Sequence, residues 1–108
     1  MAKLDDEGAK ATVDTTVDAL GAATIHLAGE LDISNVPEVE ARIGPTIEQA
    51  ERQVVFDLTG LTFMDSSGIA MLLRTAGRTA TLEVRNPSDT VRSIIDATGL
   101  ADVLHLAS

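Results

Sequence analysis

The chain has 108 residues, the size of one domain with a modest core of its own. It contains no Cys, Trp or Tyr and only two Phe, which excludes a disulfide framework and a thiolate metal site and leaves an aliphatic core. A formal charge of −9 with so few aromatics argues against nucleic acid as a partner; it either steers a basic protein partner or serves solubility alone.

Residues 1–11 are polar and are expected to form a flexible segment ahead of a single domain over residues 12–108. Met1 to Glu7 contains no apolar h-region, and no stretch is long and apolar enough to span a bilayer. The expectation is a cytoplasmic protein without membrane insertion.

Thr12 to Val17 is rich in β-branched residues and reads as a strand. Gly21 marks a turn, and Ala23 to Ala28 alternates as a second strand antiparallel to the first. Gly29-Glu30-Leu31-Asp32 ends it. Ser34 or Asn35 is placed to cap a helix, and Asn35 with Glu38 has capping-box spacing. Val36, Val39, Ile43, Ile47 and Ala50 share one helical face, with a kink or break expected at Gly44-Pro45.

Val54 to Leu58 is a short apolar run of the kind that forms a central strand covered on both faces. The next helix buries Ile69, Leu72, Leu73 and Ala76 and stops near Gly77. Thr81 to Val84 reads as a strand. Asn86-Pro87-Ser88-Asp89 starts a third helix, whose inner face is Val91, Ile94 and Ile95 and whose end is Gly99. Val103 to Leu106 reads as a last strand. The fold class is α/β: a single mixed β-sheet with an antiparallel N-terminal strand pair, alternating helices and right-handed crossovers.

The chemistry gathers at Asp65-Ser66-Ser67-Gly68, where a strand feeds a helix. The first turn of a helix carries free N–H groups and partial positive charge, so a phosphate is tolerated there. The plainer reading of a serine at this place is an N-cap, contributing about 1 kcal/mol. In open α/β sheets function gathers outside the carboxyl ends of the strands. The Gly29 to Asp32 corner, with Ser34 and Asn35, is expected on the same rim. Gly68 allows either close approach of a partner backbone or a tight turn, and Asp57 is read as satisfying a local backbone group.

Phe63-Met64-Asp65-Ser66-Ser67-Gly68-Ile69, preceded by Phe56-Asp57-Leu58, resembles the phosphorylation segment of STAS-domain anti-sigma factor antagonists. Gly29-Glu30-Leu31-Asp32 resembles that family's other signature, and Ile94 to Leu100 resembles the end of its third helix. The likeness runs from about Thr12 to Leu106. It implies a STAS fold and partner switching. The serine after the aspartate, Ser66, is the implied phosphorylation site, with Ser67 as the alternative. The implied partners are an anti-sigma factor with serine kinase activity and a histidine-kinase-like ATPase fold, and a PP2C-type phosphatase. Asp32, Ser34, Asp65, Ser67 and Gly68 are the implied partner-binding residues. Asp65 either orients the encounter with the kinase or caps the helix; Asp32 either contacts the partner or ends a strand.

Enzymatic activity is not expected. His26 and His105 lie in strand-like patterns far from Ser66 in sequence, and there is no Gly-x-Ser-x-Gly elbow and no glycine-rich phosphate loop. No cofactor, metal or catalytic residue is implied. The alternative reading is a stand-alone STAS subunit that docks on a membrane transporter without phosphorylation.

Overall fold

The computed structural model describes residues 11–79 and 81–105; the polar N-terminal segment, residues 1–10, lies outside them, as does Leu106. The elements in chain order are β1 (Ala11–Val17), β2 (Ala23–Leu31), α1 (Val36–Gln49), β3 (Val54–Met64), α2 (Ser66–Ala76), β4 (Leu82–Arg85) and α3 (Asp89–Thr98). They form one four-stranded sheet in the order β1-β2-β3-β4, with β1 antiparallel to β2 and the other pairs parallel.

Alternation along the strands sorts the two faces of this sheet. Ala23, Val54 and Leu82 lie side by side, as do Ile25, Phe56 and Val84. All six are buried, and all but Ala23 share one core with Val39 and Ile43 of α1, Met71 and Leu72 of α2, and Val91 and Ile95 of α3. The opposite face carries the cross-strand row Asp14, His26, Asp57, Arg85. The expectation that the central strand is covered on both faces is therefore corrected. From β2 to β4 the strand order advances in one direction, so right-handed crossovers put successive helices on the same side. Asp57 is held on the open face. Its Oδ1 accepts from the Thr59 N–H (3.0 Å), the Thr59 hydroxyl (2.6 Å) and Asn86 Nδ2 (3.3 Å), and its Oδ2 lies 3.2 Å from His26 Nδ1. The Thr59 hydroxyl is the largest cause holding this carboxyl below the usual range.

Three further sequence readings are corrected. The first concerns Gly44-Pro45, which does not break α1; the helix runs from Val36 to Gln49 through Pro45. Pro45 is exposed, while Val39, Ile43 and Ile47 are buried on the inner face. Burial of that stripe outweighs the roughly 3 kcal/mol propensity cost of an interior proline. A Cβ on Gly44 meets nothing within 4 Å outside its chain neighbours, but the ring of Pro45 crowds any side chain on the helical residue before it. Gly44→Ala is accordingly expected to stabilise the fold by at most about 0.5 kcal/mol, the crowding by Pro45 offsetting part of the propensity gain, read as a rise of about one to three degrees in a thermal melt. The second concerns β3, which runs six residues past Leu58, to Met64. Its pairing with β2 shifts register twice, between His26 and Ala28 and between Gly29 and Glu30. These irregularities interrupt the alternation that marks a strand. The third is the final strand: residues 101–105 form turns, joined to β4 through the Val84 N–H donating to the His105 carbonyl (3.3 Å). Leu104 is fully buried, so its apolar character reports a core plug and not a strand face.

Candidate functional site

β2 and β3 end together. Leu31 pairs with Met64, and the Asp65 N–H donates to the Leu31 carbonyl (3.0 Å). The two signature segments, remote in sequence, thus meet at the carboxyl end of the sheet.

Asp65 is the N-cap of α2 and joins the two segments. Its Oδ1 accepts from the N–H groups of Ser67 (2.8 Å) and Gly68 (3.4 Å), and its Oδ2 accepts from the Ile33 N–H (3.3 Å). The cap is therefore the aspartate, and the serines are the first two residues of the helix. Ser66 is exposed and Ser67 is half-buried. The N–H groups that invite a phosphate to a helix start are already partly engaged by the Asp65 carboxylate. A phosphate on Ser66 would stand outside that cradle, toward solvent.

Gly68 is buried. A Cβ there would lie 3.0 Å from Met64 Cβ, 3.2 Å from Met64 Sδ and 3.4 Å from Leu31 Cβ. Glycine lets the first turn of α2 close onto the ends of β2 and β3, and this chain's own atoms fill the space that a side chain would take.

The corner after β2 is a self-bonded turn. Asp32 Oδ1 accepts from the Ser34 N–H (2.9 Å) and from the Ser34 hydroxyl. Asn35 precedes α1 but makes no side-chain cap bond, so the expected capping box with Glu38 is absent. Its Oδ1 instead accepts from the Asp32 N–H (3.0 Å), and its Nδ2 donates to the Glu30 carbonyl (2.8 Å). Asn35 clamps the corner from within, and Asp32 and Ser34 remain on the rim with Ser66.

Two features beside the serines are absent from the sequence reading. Ile33 is 76% exposed, an isolated apolar residue between Asp32 and Ser34. It lines a groove of about 220 Å³ with Val36, Pro37, Ser67, Ala70 and Arg74. Arg74 makes two hydrogen bonds of 2.7 Å to Glu40 of α1, which hold the Glu40 carboxyl below its usual range. A larger cleft of about 490 Å³, lined by Asp18, Leu20, Ala22, Arg52, Gln53 and Thr81, lies at the opposite end of the strands, away from this chemistry.

The site presents a hydroxyl without activating it. Both Asp65 oxygens accept from backbone N–H groups, which leaves the side chain poorly placed as a base for Ser66. His26 belongs to the open face of the sheet, paired with Asp57. Among the described residues no group of three His, Cys, Asp or Glu side chains is placed to hold a metal ion, and no helix is long and apolar enough to cross a membrane.

A fold with this sheet order and an aspartate-capped serine pair beside the β2 corner defines a class. The family model described as STAS domain matches residues 11–108, and the chain belongs to the STAS domain family. The anti-sigma F factor antagonist of Lysinibacillus sphaericus is 39% identical over 84 residues, covering 70% of this chain and 69% of that protein. An anti-sigma-B factor antagonist of Staphylococcus aureus is 28% identical over 86 residues, covering 76% and 80%. Among solved structures, the anti-sigma factor antagonist SpoIIAA in its unphosphorylated form superposes with a TM-score of 0.69 at 31% identity, covering 89% of this chain and 88% of that one. An anti-sigma factor antagonist from Mycobacterium paratuberculosis superposes with a TM-score of 0.78 at 26% identity, covering 89% and 84%. These relatives are named as regulators of anti-sigma factors.

Proposed function

We propose that this chain is an anti-sigma factor antagonist that works by partner switching in the cytoplasm. Unphosphorylated, it binds an anti-sigma factor that is also a serine kinase with a histidine-kinase-like ATPase fold, and the sigma factor is released. Phosphorylation of Ser66 ends the complex, and a PP2C-type phosphatase restores it. The protein is a regulatory binding module and a substrate of its partner's chemistry, not itself an enzyme.

The observation that carries this reading is the exposed Ser66 at the first position of α2, tied through Asp65 to the Asp32–Ser34 corner. The sequence left Ser66 and Ser67 open; the exposure of Ser66 and the half-burial of Ser67 support Ser66. Asp32, Ser34, Asp65 and Ser67 belong to the contact surface, and Gly68 shapes it by letting the helix close.

Magnitudes favour release on phosphorylation. A phosphate adds about −1.5 to −2 charge at a rim that already carries Asp32 and Asp65. With a basic partner the added charge gains surface attraction of about 0.2–1 kcal/mol. Desolvating such a charge inside a closed interface costs several kcal/mol, so desolvation wins. Large conformational change is not required.

The test is a pull-down from native cytoplasm with the wild-type chain, partners and phosphosites being identified by mass spectrometry. The expected result is an ATPase-domain kinase as partner and one phosphate on Ser66. The Ser67→Ala variant is expected to remain a substrate of that kinase; loss of phosphorylation in this variant alone moves the site to Ser67. Recovery of a permease in place of a kinase overturns partner switching in favour of a transporter subunit.

A further inference from the structure

The groove beside the serines is shaped to receive something. Its walls come from the corner before α1 (Ile33), the start of α1 (Val36, Pro37) and one side of α2 (Ser67, Ala70, Arg74). Its volume, about 220 Å³, is below the roughly 300–1,000 Å³ of small-molecule sites and suits one or two side chains. Both walls are held. The Ile33 N–H is bonded to Asp65, and Arg74 is fixed by its two bonds to Glu40. Ile33 is therefore an exposed large aliphatic on a pinned backbone, the arrangement of a binding anchor rather than of a loose loop residue.

Charge indicates what fits there. Asp32, Glu38, Glu40, Glu48 and Asp65 stand on the elements that form the groove, against two cations, Arg42 and Arg74, of which Arg74 is paired with Glu40. The groove thus combines an apolar floor with an acidic surround. Resting on the partner reading above, we propose that this groove receives an aliphatic side chain of the anti-sigma kinase, carried next to a basic residue. The aliphatic group packs on Ile33 and Ala70. The basic neighbour steers approach toward the acidic surround and speeds association. Ser67 lines the groove and Ser66 precedes it, so a phosphate on Ser66 stands beside the docked side chain. The modification and the anchor then act on one contact.

The test measures affinity for the purified kinase recovered by the wild-type chain, using titration calorimetry on full-length variants. Ile33→Ser is expected to weaken binding at least about tenfold, while Ile33→Leu stays within about threefold. Leu20→Ser is the control: Leu20 is 68% exposed at the opposite end of the strands, and its loss is expected to leave affinity unchanged. Thermal melts of both serine variants are expected to match wild type, because both side chains are exposed. If Ile33→Ser binds like wild type while Ser66→Asp releases the kinase, the groove proposal falls and the partner reading stands. If the wild-type chain binds no anti-sigma kinase, both fall. If Ile33→Ser changes self-association in sedimentation and not kinase affinity, the occupant is a second copy of the chain and the proposal is overturned.

Discussion

Ser66→Asp is expected to weaken binding to the anti-sigma kinase by at least about a hundredfold, close to 2.7 kcal/mol, while Ser66→Ala binds as tightly as wild type and cannot be switched off. Ser66 is the exposed first residue of α2, so neither change disturbs packing. An aspartate there lies near the positive end of the helix dipole, which offsets repulsion from Asp65 within the free protein. Folding and binding effects therefore separate: the melting temperature stays put while affinity collapses. Aspartate carries one charge where phosphate carries nearly two, so the variant sets a lower bound on the natural switch. Equal affinities for wild type, Ser66→Ala and Ser66→Asp, measured by calorimetry with purified kinase, sink the charge-switch account.

Gly68→Val is expected to cost about 2–3 kcal/mol of stability, a fall of roughly 10–20 °C in melting temperature for a domain of this size. The Cβ would sit 3.0 Å from Met64 Cβ, which is anchored to β3 and cannot swing aside. Relief requires α2 to lift from the strand ends, and that also moves Asp65 and Ser66. The contrast with Gly44 makes the test sharp. In an unhindered helix, replacing glycine by alanine gains close to 1 kcal/mol, and part of that gain is expected at Gly44 despite the following proline. At Gly68 the same change meets the Met64 contact and the gain is cancelled or reversed. A melt in which Gly68→Ala is as stabilising as Gly44→Ala shows that the close approach does not matter.

Much of this architecture is legible in linear order. Alternation in Ala23 to Ala28 and the 3.6-residue spacing of Val36, Val39, Ile43 and Ile47 report burial on one face, and burial follows from side-chain polarity alone. The failures share a cause. Pro45 carries an intrinsic penalty that the sequence shows, but the compensating core contacts of Ile43 and Ile47 come from residues distant in the chain. Leu104 alternates like a strand residue because it is buried, though its backbone turns.

The site divides in the same way. Residue types and spacing mark the Asp65-Ser66-Ser67-Gly68 turn as a helix start bearing a modifiable hydroxyl, because capping and helix polarity act over three or four residues. Three things depend on contacts some thirty residues apart, which no local pattern encodes. The Asp65 carboxylate reaches Ile33, Gly68 closes onto Leu31, and Glu40 grips Arg74. Those contacts exist only once the parallel pairing of β2 with β3 brings the two strand ends together, so it is the tertiary fold that decides which serine faces outward and that a groove opens beside it.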